Sequence, residues 1–395
     1  MKILFWSPYI GHVGTIKAVI NSAISIKQNS NYDVGIIKNH SEWEGFESDI
    51  VSNGIEIVDF GLKKQFPNLH KTKFMGSRLY MLTVALFGFF QLRKHLKQEK
   101  PDILITNLIA LPAILSSRSV KHSPRIIASV QGYPKFLGLP DTSNYEWWMY
   151  AEDSLRKLLW NRIYKKVDKI VCMTKDTREK LIDKTTLNVA NITVIENPVI
   201  DDGIYKSSKE AIENDWFNDT SAKHIIAIGR LSFQKDFQSL IKAISIVKKN
   251  IDVKLMILGE GEDRGNLSGL IKELNLEDIV DLPGFTINPY KFLQKSDLFV
   301  LSSRWEDPGH VLLEAATLKV PIVSTNCPSG PAILLENGKG GYMCNVEDPQ
   351  DMANKIIDAL RIKDNKKIIA AYNFSQRYTL KSHFNGLNKL IKEIV

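Results

Sequence analysis

The sequence predicts an α/β protein of two domains, each built on a largely parallel sheet. At 395 residues the chain exceeds what a single hydrophobic core comfortably holds. Short apolar runs alternate with helical segments or loops, a pattern typical of parallel strands joined by crossover helices. A polar segment with scattered charges, residues 201–220, has the composition of a linker and predicts a domain boundary near residue 200.

The first domain opens with a predicted strand, Lys2–Trp6, and a predicted amphipathic helix, Ile16–Lys27. Two glycines, Gly11 and Gly14, lie between them. Glycine at these positions would let the backbone turn tightly and approach a ligand, and a plain strand-to-helix turn is the alternative. Further strands are predicted at 33–37, 55–60, 103–106, 125–130, 169–173 and 192–195.

The run Leu79–Phe90 carries no charge and is much shorter than the roughly 20 residues needed to span a bilayer. Basic residues flank it on both sides: Lys71, Lys73, Arg78, Arg93, Lys94 and Lys97. One interpretation is a crossover helix buried in the first domain. The other is an interfacial helix whose cations reach anionic lipid headgroups.

The second domain is predicted to open with the strand His224–Ile228, which leads directly to Arg230 and Lys235. A guanidinium fork beside a compact ammonium suits a pair of phosphates, and simple surface solvation is the alternative. The remaining strands are predicted at 254–258, 298–301, 322–325 and 342–344, with a further short strand that ends at residue 282. Helices are predicted at 310–318, 348–360 and 375–395.

The turn after the apolar strand Leu298–Leu301 is the strongest candidate for a binding site. Glu306 precedes the following helix and Glu314 lies one turn inside it. The Gly309-His310 pair lies where that helix should begin, so unpaired N–H groups and the positive end of the helix dipole face the turn. Amides that bind an anion, together with carboxylates that accept from hydroxyls, suit a sugar phosphate. The alternative is an ordinary loop and helix with solvated acids.

Three patterns resemble family-4 glycosyltransferases of GT-B fold. Glu306 and Glu314, with seven residues between them, resemble the Glu-x7-Glu motif; residues 229–237 resemble the Gly-Arg-Leu…Gln-Lys-Asp-Phe signature; and residues 7–14 resemble the glycine loop. The resemblance implies two facing Rossmann-like domains. Residues 1–200 would form the acceptor-side domain and 201–374 the nucleotide-sugar domain, with the helix 375–395 packing back onto the first.

The same resemblance implies a role for each site residue. Arg230 and Lys235 would contact the donor diphosphate, and Glu306 would orient the donor sugar or stabilise its oxocarbenium-like state. Glu314 would hold the ribose hydroxyls, and Phe285 would lie against the nucleotide base. The amides of Gly309, His310 and Val311 would complete the diphosphate site.

The implied reaction is retaining and metal-independent. A sugar would pass from a nucleotide diphosphate, with a UDP-sugar favoured, to a glycan or polyprenyl-linked acceptor in cell-surface polysaccharide biosynthesis, such as that of capsule or lipopolysaccharide. No cofactor is expected beyond the donor. Gln131 departs from the family pattern, because many relatives carry His near this strand end, and an amide cannot act as a general base.

Composition narrows the setting. The net charge of +8 favours anionic partners, but no zinc-finger, RNP or homeodomain pattern is present, so nucleic acid is not expected. Three widely spaced cysteines indicate neither disulfides nor a zinc site, and no Asp-x-Asp or His-x-x-His pattern occurs. Without a signal-peptide pattern, the expected location is the cytoplasm, with peripheral contact to the inner face of the plasma membrane as a hypothesis.

Three other functions fit parts of the sequence. A nucleotide-sugar epimerase of similar fold would use the same diphosphate site, although no added acid/base pair is evident. A non-catalytic sugar-nucleotide-binding subunit is favoured by Gln131 and disfavoured by Glu306, Arg230 and Lys235. A basic scaffold at the membrane surface would not explain the residues that resemble a nucleotide-sugar donor site.

Overall fold

The structure is a computed structural model. It describes residues 1–8, 14–66, 75–107, 110–131, 147–212, 215–306, 309–328 and 330–395. For residues 75–82 and 147–152 it describes the backbone only. The chain forms two compact units. Unit 1 comprises Met1–Pro198 and Leu380–Val395, and unit 2 comprises Val199–Thr379.

Unit 1 contains a sheet of seven parallel strands in the order β3-β2-β1-β4-β5-β6-β7. The strands are β1 (Lys2–Trp6), β2 (Asp33–Lys38), β3 (Glu56–Asp59), β4 (Ile103–Asn107), β5 (Arg125–Val130), β6 (Lys169–Cys172) and β7 (Ile192–Val194). The apolar runs in the sequence predicted each of them to within about two residues. Because every described pairing is parallel, the carboxyl ends of all seven strands lie along one edge of the sheet.

Helices cover both faces of this sheet. They are α1 (Gly14–Asn29), α2 (Glu47–Ser52), α3 (Leu62–Gln65), α4 (Met75–Glu99), α5 (Leu111–Arg118), α6 (Trp147–Ile163) and α7 (Lys175–Lys184). One face packs mainly on α1. The other face packs on α4, through Val84 and Leu92, and on α5 and α6, through Ile114 and Ile163.

Unit 2 contains six parallel strands in the order β10-β9-β8-β11-β12-β13. The strands are β8 (Lys223–Ile228), β9 (Val253–Leu258), β10 (Val280–Gly284), β11 (Leu298–Leu301), β12 (Ile322–Thr325) and β13 (Tyr342–Cys344). The helices are α8 (Asp202–Ser208), α9 (Phe237–Val247), α10 (Arg264–Glu273), α11 (Tyr290–Lys295), α12 (His310–Thr317), α13 (Pro331–Leu334), α14 (Pro349–Arg361) and α15 (Asn365–Ser375). Both units are therefore Rossmann-like, as the sequence predicted.

The last helix returns to unit 1. α16 (Leu380–Ile394) packs on α1 through a buried apolar stripe that includes Phe384 and Leu387. His383 joins them by polar contacts, with Nε2 2.8 Å from Ser22 Oγ and Nδ1 2.7 Å from the Glu196 carbonyl oxygen. Full burial lowers the pKa of His383 to about 4, so the ring is neutral near pH 7.

Two predicted boundaries differ from the structure. The final helix begins at Leu380 rather than near residue 375, because a short 3₁₀ turn, Gln376–Tyr378, separates it from α15. The segment 201–220 was predicted to be a linker but contains α8. Asp201 caps that helix by accepting from the Ile204 amide at 3.0 Å, and Ile204 is fully buried in unit 2. Trp216 and Phe217 of the same segment pack against the core cluster that contains Ile204, so apolar side chains within a polar composition order it.

The uncharged run 79–90 lies within α4. In the described half of this helix one side is buried against the sheet, through Val84, Leu92 and Leu96, as a crossover helix requires. Leu86 and Phe90 are nevertheless exposed. Among the described residues, no helix has the length and apolar character needed to cross a membrane. Cys172, Cys327 and Cys344 are buried free thiols.

Candidate functional site

The central turn lies at the carboxyl edge of the unit 2 sheet. β11 is fully buried between β8 and β12. Because β8 and β11 are parallel neighbours, the turns that follow them leave the sheet at the same edge. This topology brings Lys235 to Glu306, which is 71 positions away in the sequence.

Lys235 and Glu306 form a shielded ion pair. Lys235 Nζ lies 2.5 Å from Glu306 Oε1, and Ser303 Oγ donates to the same oxygen at 2.5 Å. The Glu306 side chain is only 6% exposed, so water screens the pair much less than it screens a surface ion pair. No hydrogen bond from the described residues reaches Glu306 Oε2. That oxygen is therefore available to a ligand hydroxyl.

Hydroxyl side chains fix the backbone on both sides of this pair. Ser302 Oγ donates to the Lys235 carbonyl at 2.7 Å, and Thr325 Oγ1 donates to the Ser303 carbonyl at 2.7 Å. Ser302, Ser303 and Thr325 are all buried. Sequence reasoning did not single them out, because Ser and Thr at strand ends are common. Their effect is to hold the carboxylate in one position before any ligand arrives.

Arg304 clamps the turn after β8 onto the turn after β11. Its guanidinium lies 3.9 Å from the centre of the Phe233 ring and 3.1 Å from Asp236 Oδ1, and its amide donates to the Gln234 carbonyl at 2.8 Å. Asp236 is buried and requires a cationic partner. The clamp keeps the backbone around Lys235 against the central turn. The sequence analysis missed this residue, because only the structure shows that Asp236 is buried and faces Arg304.

The first turn of α12 contains the predicted anion-binding residues Gly309, His310 and Val311. Gly309 has φ +88°, a left-handed conformation that costs a residue with a Cβ about 1–2 kcal/mol. Burial lowers the pKa of His310 to about 4, so its ring is neutral near pH 7. Attraction of an anion to this turn would therefore come from the helix amides and dipole rather than from a histidine charge.

Glu314 is held by a tyrosine that sequence reasoning missed. Tyr290 Oη donates to Glu314 Oε1 at 3.0 Å. Burial and the adjacent Glu314 carboxylate raise the pKa of Tyr290 well above its usual value, so the phenol stays a donor. Asn288 Oδ1 accepts from the Tyr290 amide at 3.1 Å at the start of α11, but no local sequence pattern indicates that the Tyr290 phenol faces Glu314.

The two predicted phosphate contacts hold different carboxylates. Arg230 is exposed and pairs with Glu262 at 3.0 Å, whereas Lys235 is turned inward to Glu306. Gly259, with φ +148°, brings the end of β9 close beneath this turn; a Cβ there would lie 1.9 Å from the Gly229 carbonyl oxygen. The exposed Arg230 pair is weak and exchangeable, so a phosphate can take over its guanidinium.

The other predicted binding residues have simpler surroundings. Phe285 is 48% exposed and directly follows β10 at the same edge as Glu306. In unit 1, Gly14 is the exposed first residue of α1, at the carboxyl end of β1. Gly11 lies outside the described residues.

Unit 1 presents an amide cluster at its own carboxyl edge. Gln131 Nε2 donates to Ser129 Oγ at 2.8 Å and to Asn197 Oδ1 at 3.2 Å, and Asn197 Nδ2 donates to Gln131 Oε1 at 2.9 Å. Asn107 lies beside this cluster and accepts from Gln131 Nε2 at 3.4 Å, and its buried Nδ2 has no hydrogen-bond partner among the residues that the structure describes. These bonds fix the Gln131 amide, which leaves it a polar positioning group rather than a proton acceptor.

The acidic groups at the edge of unit 2 are already engaged. Glu306 pairs with Lys235, Glu262 pairs with Arg230, and Glu314 accepts from Tyr290. Among the described parts of the chain, no three His, Cys, Asp or Glu side chains are grouped closely enough to hold a metal ion. The arrangement instead presents cations, amides and the second carboxylate oxygen of Glu306.

Sequence comparison matches each unit to a family model. The model for "Glycosyltransferase Family 4" matches residues 44–202, and the model for "Glycosyl transferases group 1" matches residues 208–375. An uncharacterised glycosyltransferase of Methanocaldococcus jannaschii is 31% identical over 62% of this chain and 61% of its own length. A Campylobacter jejuni enzyme, N-acetylgalactosamine-N,N'-diacetylbacillosaminyl-diphospho-undecaprenol 4-alpha-N-acetylgalactosaminyltransferase, is 32% identical over 50% of this chain and 52% of its own length.

The fold matches solved structures along its whole length. The Anabaena protein HepE, solved in complex with UDP and glucose, superposes with a TM-score of 0.73 at 17% identity and covers 100% of both chains. The aligned regions of the two curated relatives span only about half to three fifths of their lengths. The two family matches and the two parallel sheets show that the chain belongs to the family-4 glycosyltransferases of GT-B fold.

Proposed function

We propose that the protein transfers a sugar from a nucleotide diphosphate to a glycan or lipid-linked acceptor in surface glycan biosynthesis. The observation that carries this proposal is the fixed Glu306 carboxylate, which has one oxygen bonded to Lys235 and Ser303 and the other available. It lies beside the first turn of α12, which offers amides to an anion. A hydroxyl-binding carboxylate next to an anion site suits a sugar diphosphate.

The diphosphate is the group on which negative charge develops when the glycosidic bond breaks. Preorganised donors at that position lower the barrier, as at an oxyanion hole. The first-turn amides of α12 and Lys235 supply them. An ammonium carries three N–H donors, so Lys235 can keep its bond to Glu306 and still donate to a phosphate oxygen. Arg230 would exchange Glu262 for the same diphosphate.

The carboxylates would hold the rest of the donor. Glu306 Oε2 accepts from a donor-sugar hydroxyl, and its negative charge stabilises the oxocarbenium-like state at the anomeric carbon. Glu314, oriented by Tyr290, accepts from the ribose hydroxyls. Phe285 offers an exposed ring to the base. We expect retention because the resemblance to the family implies it, and we expect no metal because cations and amides of the chain can neutralise the leaving group.

The donor and acceptor classes follow from similarity. The solved relative with UDP and glucose supports a UDP-sugar donor. The Campylobacter jejuni relative is named for a diphospho-undecaprenol substrate, which supports a polyprenyl-linked saccharide acceptor. With such an acceptor, we expect the protein in the cytoplasm, in peripheral contact with the inner face of the plasma membrane. The amide cluster around Gln131 in unit 1 is the polar group that would position the acceptor hydroxyl.

A panel of UDP-, GDP- and ADP-sugars, incubated with polyprenyl-diphosphate-linked saccharides in EDTA, tests the proposal. Mass spectrometry of the acceptor should show one added sugar with one nucleotide, and NMR should show the anomeric configuration of the donor. Added sugar only after Mg²⁺ or Mn²⁺ is supplied would contradict the metal-free part. If the donor sugar is isomerised when no acceptor is present, the protein is an epimerase. If the protein binds the nucleotide but transfers no sugar, it is a non-catalytic binding subunit.

A further inference from the structure

A small cavity lies in unit 1 beside the amide cluster of Gln131. Its volume is about 20 Å³, and its polar walls are the side chains of Ser22, Asn107, Ser129, Gln131, Asn197 and His383. The remaining walls are apolar side chains of the sheet, α1 and α16. A single water molecule needs about 10–15 Å³ of such space and two to four polar partners, so the cavity has the size and the lining to bind one.

Asn107 presents an unsatisfied donor in the wall of this cavity. It is the last residue of β4 and is 2% exposed, and its Nδ2 has no hydrogen-bond partner in the described part of the chain. Nearly all buried side-chain amides in folded proteins bond to the protein or to ordered water. An unsatisfied amide in the wall of a polar cavity therefore indicates a water-binding site there.

Ser22 supplies an acceptor in another wall. The Glu196 carbonyl oxygen, 2.7 Å from His383 Nδ1, can only accept, so Nδ1 carries the proton of the neutral ring. The unprotonated Nε2 then accepts from Ser22 Oγ at 2.8 Å. Since the Ser22 hydroxyl donates to the ring, its oxygen has lone pairs left to accept from a water in the cavity.

The helices that supply these groups also hold the backbone of the amide cluster. The Glu196 carbonyl accepts from His383 of α16. The Pro198 carbonyl accepts from Asn21 Nδ2 of α1 at 2.9 Å. Asn197 lies between these two anchored residues, so its amide bonds within the cluster form on a segment that two helices fix. The orientation of the cluster thus depends on the polar contacts around the cavity.

We infer that the cavity binds one ordered water, which accepts from Asn107 Nδ2 and donates to Ser22 Oγ, and that Asn107 and this water position the Gln131 amide. The water satisfies the Asn107 donor and connects the carboxyl end of β4 to α1 and, through His383, to α16. Asn107 is a positioning residue, because it acts through Gln131. The positioning role rests on the proposed function, in which Gln131 orients the acceptor hydroxyl, whereas the water site stands without it.

A high-resolution crystal structure of the full chain tests the water site. We expect a well-ordered water within about 3 Å of Asn107 Nδ2. Asn107→Leu, which has a similar volume but no donor, should lose this water and lower the melting temperature. If the cavity is dry, the same change removes an unsatisfied amide and should raise the melting temperature instead. A dry cavity with well-ordered walls, or a raised melting temperature, would overturn the inference.

Thr106→Val is the matched control. Thr106 precedes Asn107 on β4, and its buried Oγ1 is likewise without a hydrogen-bond partner among the described residues, but it does not line the cavity. The change should leave the water in place and should not lower the melting temperature, because it removes an unsatisfied hydroxyl. Equal losses of stability in both variants would contradict a water bound by Asn107.

Kinetic measurements test the positioning role. Asn107→Leu should raise KM for the acceptor about fivefold, the effect of losing about one hydrogen bond, while Thr106→Val leaves it unchanged. The donor Kd should stay the same in both variants, because the proposed diphosphate and ribose contacts belong to unit 2. An unchanged acceptor KM in Asn107→Leu would contradict the positioning role. If no donor and acceptor support transfer, the proposed function is wrong, and the crystal structure still decides whether the cavity binds water.

Discussion

Lys235 Nζ and Glu306 Oε1 lie 2.5 Å apart in a site where the carboxylate side chain is only 6% exposed. A buried ion pair of this kind contributes little net stability, but breaking it by removing one partner is costly, because the other charge stays buried. The pair therefore fixes the geometry of a carboxylate whose second oxygen remains available.

Lys235→Ala should destabilise the protein by about 3–5 kcal/mol, because it leaves the Glu306 carboxylate buried without its cation. Adding Glu306→Gln should recover much of this loss, since the neutral amide needs no counter-charge. Urea denaturation of the single and double variants measures both effects. Two destabilisations that simply add would show that the residues do not interact energetically.

Tyr290→Phe should raise KM for the donor about fivefold with little change in kcat. The phenol holds Glu314 through one hydrogen bond, whose loss is worth about 1 kcal/mol. Tyr342→Phe is the control, because the Tyr342 phenol donates to the distant Ile362 carbonyl. An unchanged KM in the Tyr290 variant, alongside a raised KM in Glu314→Ala, would show that Glu314 needs no orientation by the tyrosine.

Gly309→Ala should cost about 1–2 kcal/mol of stability or shift the start of α12, because φ is +88° there. A Cβ would meet only ordinary contacts, 3.5 Å from the Glu306 side chain, so strain rather than collision is responsible. Donor affinity should fall as the first-turn amides move. Gly265→Ala, in open space on α10, is the control and should be neutral or stabilising. If both substitutions change the stability equally, the left-handed conformation of Gly309 is not the cause of the loss.

His383 should make unit 1 less stable as pH falls from about 6.5 towards 4. Its folded pKa is about 4, below the unfolded value near 6.5, so the unfolded chain binds more protons in this range. The loss is at most about 1.4 kcal/mol per pH unit. Glu42 acts in the opposite sense, because burial raises its pKa to about 7. The informative quantity is thus the difference between the unchanged chain and His383→Gln, whose stability should depend less on pH in urea melts at pH 5 and 7.5.

The sequence predicted the strands well because each is a short apolar run that ends abruptly. β5, β11, β12 and β13 have the predicted residues at both ends. Fully buried parallel strands need no alternation of polar and apolar residues, so a continuous run is a clear signal. The linker prediction was wrong for the opposite reason, since a few scattered apolar side chains, Ile204, Trp216 and Phe217, order a segment of polar composition.

The site was predictable only in its local parts. The start of α12 at His310 follows from sequence neighbours, and the structure has it there. The bond between Lys235 and Glu306 joins residues 71 positions apart and depends on β8 lying beside β11, which no local pattern specifies. Arg304 and Tyr290 were missed because a clamp and a second-layer hydrogen bond have no spacing of their own.

The most direct test of the account is a comparison of donor binding and turnover between the unchanged protein and Glu306→Gln. Calorimetry should give a nucleotide-sugar Kd within about threefold for both, while kcat falls at least about a hundredfold, because the carboxylate acts on charge that develops only in the transition state. Turnover at the unchanged rate in Glu306→Gln would contradict the central claim that this buried carboxylate, fixed by Lys235, performs the chemistry.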